Sequence, residues 1–278
     1  MFLHLRGPAA AIVALESSLA NMLQAGKHEH MDPFLHIMSN FLQERHIDGV
    51  ALFSTLVTDM GNFVDLAKRI WNHIESAHTE QKWQLVLGIQ LQAINQSIVD
   101  SLTGYCDILI FVNHPIIEPP SCKVSRPSNI PLTKHHHMIM QKFGERPLRK
   151  PRPCMSVSLA VHDYRLRSSH GSFMDDCVRE KWVNYEQACP SKVGFVERDK
   201  EWGAAYVKKN TTMLVFEDET TITDKVSAFL EECPSGCVAA FHVEYEDFTG
   251  RCFARERYSR LQSIAKALQH TRGKYILV

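Results

Sequence analysis

Short apolar runs alternate along the chain with segments whose apolar residues recur at helical spacing. Residues 33–44 (PFLHIMSNFLQE) have the helical period, and the strand-forming run IDGVALF follows at 47–53. The helical period returns at 62–77, where Asn62 is a candidate N-cap, and 84–91 is again strand-like. The first third of the chain is therefore predicted to alternate helix and strand.

This alternation continues to the end of the sequence. We predict helices at 94–102, 221–232 and 258–270, and strands at 106–113, 156–161 and 237–243. Apolar strands that alternate with amphipathic helices imply a parallel sheet covered on both faces, in either a doubly wound sheet or a closed barrel. Periodicity alone does not choose between these two architectures.

Two stretches interrupt the alternation. Residues 115–153 contain eight of the chain's twelve prolines and a histidine run, which predicts a loop excursion. Residues 170–216 contain several short segments that carry aromatic residues and lack a long helical pattern. We interpret this second stretch as an inserted subdomain.

The charge and hydrophobic content of the chain argue against nucleic acid and membranes as partners. With 31 Lys+Arg against 31 Asp+Glu in 278 residues, the chain has no net field to attract nucleic acid or an anionic membrane surface. No run approaches the roughly 18 consecutive apolar residues that span a bilayer. At 45% hydrophobic residues, the chain is long enough to bury a large core. A soluble globular protein is predicted.

The number of cysteines gives information on the cellular location of the protein. Eight cysteines are many for a reducing cytosol and allow a disulfide framework, and Asn95 and Asn210 begin N-glycosylation sequons. Residues 1–20 carry Arg6 and Glu16 where a signal peptide needs an unbroken apolar centre, so we predict no signal peptide in this chain. Cysteine count and sequons nevertheless favour export.

A series of short motifs then occurs in a recognisable order. They are 41–67 (FLQERHIDGVALFSTLVTDMGNFVDLA), the strand ends 107–114 and 157–163, YEQAC at 185–189, MLVFEDETTITDK at 213–225 and GCVAAFHVEYEDFTGRC at 236–252. Together they resemble glycoside hydrolase family 18, the chitinases and chitinase-like lectins. The first segment and the five that follow it in the family's order extend over nearly the whole chain.

The resemblance implies a fold and a domain division. The family fold is a (β/α)8 barrel, which here begins at the family's third strand, near 11–17, and so is expected to lack the first two strands. The barrel is expected to comprise 1–169 and 217–278. The small α+β insertion subdomain is expected at 170–216.

The family's catalytic motif is degenerate in this sequence. Active members carry roughly Phe-Asp-Gly-(aliphatic)-Asp-(aliphatic)-Asp-Trp-Glu, of which only Asp48 and Gly49 are retained. Ala51 and Phe53 stand at the two following aspartate positions, and Thr55 stands at the position of the proton-donating glutamate. A threonine hydroxyl is far too weak an acid to protonate a glycosidic oxygen. The resemblance therefore implies a pseudoenzyme without catalytic residues.

Other positions of the implied cleft have also changed. The family's sugar-binding tyrosine and its neighbouring aspartate fall on His114 and Pro115, while Phe241 replaces the tryptophan beneath the sugar. His162 lies in the segment that resembles the strand ending Tyr-Gly-Arg. An aromatic face at Phe241 could still stack on a sugar. We assign His114, His162 and Phe241 as candidate ligand-binding residues.

Cysteine pairing and metal binding complete the site predictions. The resemblance implies a disulfide between Cys189 and Cys252, and the other six cysteines cannot be paired from sequence. The Lys134–His137 run is interpreted as a solvated loop, because consecutive histidines lack the spacing of a metal site. We predict neither a metal ion nor a cofactor.

Three functions remain open at this stage. The first is a secreted, inactive chitinase-like protein that binds chitin, N-acetylglucosamine oligosaccharides or glycoproteins. The second is a protein-interaction or structural protein without sugar affinity. The third is a divergent glycosidase that uses another carboxylate, such as Glu118 or Glu244.

Overall fold

The computed structural model describes nine segments of the chain: 12–14, 31–54, 60–76, 82–115, 121–143, 151–189, 194–252, 256–269 and 274–277. Arg6, Glu16, Thr55 and Glu118 lie outside these segments. The chain divides into two compact units, Met1–Val112 with Lys142–Cys154 and Asn113–Gln141 with Met155–Val278.

The first unit carries a parallel sheet with helices between its strands. Its strands are β1 (Ile12–Ala14), β2 (Gly49–Phe53), β3 (Gln84–Gln90), β4 (Ile108–Val112) and the beginning of β5 (Arg152–Ser158). Its helices are α1 (Met31–Glu44), α2 (Met60–Ser76) and α3 (Gln96–Leu102). Strands β1 to β5 are neighbours in chain order, and the pairs from β1 to β4 are parallel.

The core of the first unit follows from the apolar pattern. All five residues of β2 are buried, as expected for a strand covered on both faces. Helix α2 buries Phe63, Ala67, Ile70 and Ile74, which recur at helical spacing on one face. A Cβ atom on Gly49 would lie 2.1 Å from the carbonyl oxygen of Gln84, so the contact between β2 and β3 requires glycine.

The second unit contains the rest of β5 and an antiparallel sheet. Its remaining elements are α4 (Leu132–Phe143), β6 (Val161–Leu166), β7 (Cys177–Val183), β8 (Glu197–Asp199), β9 (Ala204–Lys209), β10 (Thr212–Phe216), α5 (Glu219–Glu232), β11 (Cys237–Phe241), α6 (Ser259–Gln269) and β12 (Lys274–Leu277). Strands β5, β11 and β12 are neighbours in that order, and β11 and β12 are parallel. The antiparallel sheet has the order β7-β6-β10-β9-β8.

These elements form a partial (β/α)8 barrel with an additional antiparallel sheet, as the sequence predicted. Strand β12 had no predicted counterpart. Of the helices in the described segments, none is long and apolar enough to cross a membrane.

Three local predictions were wrong. Asn62 lies inside α2, which begins at Met60, so it is not a cap. Residues 132–143 of the predicted loop excursion form helix α4, because the prolines of that region stop at Pro131 and resume only at Pro147. The Lys134–His137 run is therefore helical. The predicted strand 156–161 is interrupted at 159–160, where the guanidinium of Arg260 donates to the carbonyl oxygen of Leu159 (2.9 Å).

Candidate functional site

A cluster of polar and aromatic side chains in the second unit lies where parallel strands end. His114 comes two residues after β4, His242 directly follows β11, and Ser156 and Ser158 lie on β5. In β/α barrels the carboxyl ends of the strands carry the functional residues. This cluster is therefore the candidate functional site.

His114 is held by β5 and packs on β11. Its Nδ1 lies 3.0 Å from Ser156 Oγ, and the same oxygen accepts a hydrogen bond from Asn113 N at 2.9 Å. The imidazole meets Phe241 edge-on, with ring centroids 4.7 Å apart. Since Ser156 also orients the backbone next to the histidine, the ring has a fixed position.

His242 lies at the centre of the cluster. Its backbone adopts the left-handed conformation (φ 58°), which is uncommon for a residue with a Cβ and recurs at functional sites. Its Nδ1 is 2.9 Å from Ser158 Oγ, so β5 holds a second imidazole in the same way. The ring of His242 contacts Trp182 (centroids 4.5 Å apart) and faces His114 at 5.5 Å.

The antiparallel sheet supplies the adjoining side of the cluster. His162 on β6 lies beside Trp182 on β7, its cross-strand partner, with ring centroids 5.6 Å apart. His162 Nδ1 is 2.7 Å from Glu180 Oε1, and Tyr164 stacks on the imidazole at 5.9 Å. Burial, followed by the charge of Glu180, raises the pKa of the Tyr164 hydroxyl well above its usual range, so this tyrosine stays protonated.

The site is closed and poor in available acids. His114, His162 and Phe241 are only 1%, 1% and 3% exposed. Two buried carboxylates of this unit, Glu217 and Glu246, form ion pairs with Lys225 (2.6 Å) and Arg260 (2.8 Å).

Glu180 adds a further carboxylate to the cluster, and its side chain is 6% exposed. Its Oε1 contacts His162, while its Oε2 has no hydrogen-bond partner within the described segments. No group of three or more His, Cys, Asp or Glu residues in those segments could hold a metal ion. The arrangement offers aromatic surfaces and imidazoles held in place by neighbouring side chains.

Ala51 and Phe53, at which the sequence resemblance places catalytic aspartates, lie on β2 in the first unit. Ala51 and Phe53 are 4% and 6% exposed. The ring of Phe53 covers Gly88 on β3 so closely that a Cβ atom at Gly88 would lie 2.2 Å from it. Asp48 precedes the strand, and its carbonyl oxygen accepts a hydrogen bond from Gln84 N at 2.8 Å.

The structure brings two of the three candidate ligand residues, His114 and Phe241, into direct contact. His162 contacts Trp182, which contacts His242, and His242 in turn contacts His114. Of the alternative carboxylates, Glu244 is exposed in the short turn Val243–Tyr245.

Sequence reasoning missed five residues of the site: Ser156, Ser158, Trp182, Glu180 and His242. The sequence could have indicated the two serines, because they alternate with apolar residues in an otherwise apolar strand and so share one face of it. Glu180 and Trp182 also alternate on one face of β7, but only tertiary pairing shows which face is buried.

Disulfide bonds are a further structural feature of the chain. Cys189 and Cys252 form a disulfide, as do Cys122 and Cys177, and Cys154 and Cys237 are also disulfide-bonded.

The Asp247 carboxylate holds the loop before Cys252. Burial opposes its ionisation, but hydrogen bonds from the amides of Cys252, Arg251 and Gly250 and from the Thr249 hydroxyl outweigh burial and lower the Asp247 pKa below its usual range. The loop at the end of the 236–252 segment is therefore organised around one ionised carboxylate.

Solved structures of chitinases and chitinase-like proteins of glycoside hydrolase family 18 share this fold. An immunomodulatory active chitinase from Trichuris suis is 14% identical, with a TM-score of 0.73 over 93% of this chain and 80% of that one. Human YKL-39, described as a pseudo-chitinase with retained chitooligosaccharide binding, is 15% identical, with a TM-score of 0.73 over 94% and 80%. A chitinase-like agglutinin from Robinia pseudoacacia is 14% identical, with a TM-score of 0.70 over 93% and 81%.

These likenesses confirm the resemblance at the level of the fold. No protein-family profile and no curated protein sequence matches the chain. The neighbours include both active and inactive proteins, so the fold does not decide between catalysis and binding.

Proposed function

We propose that this chain is a catalytically inactive chitinase-like protein that binds N-acetylglucosamine-containing glycans. The observation that carries the proposal is the packing of Phe53 over Gly88. An apolar ring fills a buried position at which the resemblance places a catalytic aspartate. At this position strand β2 therefore contributes a side chain to the hydrophobic core and not to a catalytic site.

The chemistry of the family explains why this loss abolishes hydrolysis. A glutamate must protonate the glycosidic oxygen, and an aspartate must orient the substrate's N-acetyl group, whose oxygen attacks the sugar carbon. Thr55 cannot supply the proton, and Phe53 offers no charge to stabilise the intermediate. In the second unit, Glu217 and Glu246 are neutralised by buried cations and are poor replacements.

Glycan binding is supported by the aromatic cluster. Trp182 is partly exposed and packs between His242 and Tyr245, with ring centroids 4.5 Å and 6.1 Å away. Partly exposed indole and phenol rings offer apolar faces on which a sugar ring can stack. Human YKL-39 shares the fold and is described as retaining chitooligosaccharide binding, which extends the proposal to this ligand class.

A titration with chitopentaose tests the binding site. We expect Trp182→Ala and Phe241→Ala each to weaken binding about tenfold, since a buried aromatic anchor typically contributes more than 1 kcal/mol. Trp182 supplies the exposed face, and Phe241 supports His114 beneath it. Calorimetry gives the affinity of each variant.

Phe195→Ala is the matched control. Phe195 belongs to the same unit, is 83% exposed and lies outside the cluster, so its removal should leave the affinity unchanged. Unchanged affinity in both cluster variants, with tight binding by the original protein, would place the glycan elsewhere. Thermal unfolding of each variant separates loss of binding from loss of fold.

A second candidate function is supported by the burial of the site. Since His114, His162 and Phe241 are almost fully covered, the cluster also suits a structural role in a protein whose partners bind other surfaces. Absence of any millimolar or tighter binding to N-acetylglucosamine oligomers would favour this interaction protein.

We further propose an extracellular location. Six of the eight cysteines are disulfide-bonded, which is typical of secreted proteins and rare in a reducing cytosol. Of the two sequon asparagines, Asn95 accepts a hydrogen bond from Ile98 N as a helix cap, whereas Asn210 lies exposed in the turn between β9 and β10. Asn210 is thus the better placed acceptor for a glycan.

A further inference from the structure

A row of cations crosses the antiparallel sheet near one end of its strands. The register pairs Arg179 on β7 with Arg165 on β6, Arg165 with Thr212 on β10, and Thr212 with Lys209 on β9. Residues paired in register point to the same face of a sheet, so these four side chains stand side by side. We call Arg179, Arg165 and Lys209 the basic row.

The basic row is exposed and uncompensated. All three side chains are exposed, and none forms an ion pair or hydrogen bond with another described residue. In the next row of the same face, Asp163 forms an ion pair with Lys181 (3.3 Å), so this acid is already paired. A local positive surface therefore exists on a chain whose net charge is zero.

The arrangement is unfavourable for the isolated protein. Like charges directly opposite each other on antiparallel strands destabilise the pair, and Arg165 and Arg179 are such direct partners. A bulge between Arg165 and Leu166 follows directly, and bulges commonly change the direction of side chains beside functional sites. An anionic ligand bound to these side chains would relieve this repulsion.

We propose that the basic row binds a linear sulfated polysaccharide. Neighbouring strands lie about 4.8 Å apart, so Arg179, Arg165 and Lys209 spread along a line of roughly 14 Å. Arginine binds planar anionic groups through two parallel hydrogen bonds, and Thr212 adds a hydroxyl within the row. An extended polymer with regularly spaced sulfates matches this line of donors.

The surroundings of the row argue against nucleic acid. On this face the next row contains Leu214 and Val207, without an aromatic ring on which bases could stack. The balanced net charge also lacks the long-range field of nucleic-acid-binding proteins. The proposed ligand is distinct from the neutral glycan of the aromatic cluster, and the two sites can be tested separately.

A competition between variants on a sulfated matrix tests the proposal. We expect the full chain to be retained on immobilised heparin at physiological salt and the double variant Arg165→Gln/Arg179→Gln to bind a size-defined heparin oligosaccharide at least tenfold more weakly. Lys209→Gln should have a smaller effect in the same direction. The matched control Lys134→Gln/Arg257→Gln removes two exposed charges elsewhere in the same unit and should bind as tightly as the original protein.

A stability measurement accompanies the binding measurement. Because the substitution removes like-charge repulsion, Arg179→Gln should keep or raise the unfolding midpoint while it weakens binding. Equal losses in the row variant and the control would show unspecific charge attraction and overturn the proposal. Equally tight, row-dependent binding of a single-stranded DNA of similar charge would overturn the assignment to sulfated polysaccharide, as would unchanged binding to a desulfated oligosaccharide.

Discussion

Replacing Arg260 by alanine is expected to lower the free energy of unfolding by about 3–5 kcal/mol, because it leaves the buried charge of Glu246 without its partner. Arg260 and Glu246 are both 0% exposed, and Arg260 Nε lies 2.8 Å from Glu246 Oε2. The guanidinium also donates to the carbonyl oxygens of Leu159 (2.9 Å) and Tyr245 (3.1 Å). Denaturant unfolding of the purified protein measures the change.

Arg251→Ala is the control for this measurement. Arg251 forms an ion pair with Glu186 at 3.2 Å but is 65% exposed, and such pairs contribute little because solvent screens them. We expect a change within about 1 kcal/mol. If Arg260→Ala lowered the free energy of unfolding as little as Arg251→Ala, the contacts of Arg260 would not stabilise the segment between β5 and β6.

Phe53→Asp is expected to destabilise the protein by at least about 3 kcal/mol, because it introduces an unpaired carboxylate into a fully buried strand. The ring of Phe53 also fills the space above Gly88, which the shorter side chain would leave empty. Restoring an aspartate at this position is therefore expected to damage the fold. Urea unfolding gives the cost.

Phe53→Leu keeps the position apolar and should cost only about 1.5 kcal/mol. A Phe53→Asp variant as stable as Phe53→Leu would show that β2 still accommodates a charge. Such a result would contradict the interpretation of this strand as core. The comparison therefore tests whether repacking, rather than one substitution, removed the catalytic motif.

Much of the barrel could be predicted from the apolar pattern. Strands β2, β3 and β4 and helices α1, α2 and α3 lie within a few residues of their predicted ranges, because each has a clear period and apolar face. Periodicity left open whether the sheet is doubly wound or forms a barrel, and the order of short motifs indicated the barrel. The replacement of two motif aspartates by Ala51 and Phe53 could also be recognised, since it requires only the amino-acid sequence.

Features that depend on tertiary contacts could not be predicted. Helix α4 was hidden by the prolines on either side of it, and the break at 159–160 lies at a contact with Arg260, far away in sequence. The left-handed backbone of His242 has no sequence signature. The basic row is likewise invisible in a chain with zero net charge, because its cations become neighbours only through strand register.

Incubation of the purified protein with chitopentaose, followed by mass analysis of the oligosaccharide, tests the proposed function most directly. We expect the pentasaccharide to remain intact after prolonged incubation at a protein concentration high enough to bind it, while an active chitinase degrades it under the same conditions. Accumulation of shorter N-acetylglucosamine oligomers in proportion to protein concentration would contradict the assignment of this chain as an inactive glycan-binding member of the chitinase fold.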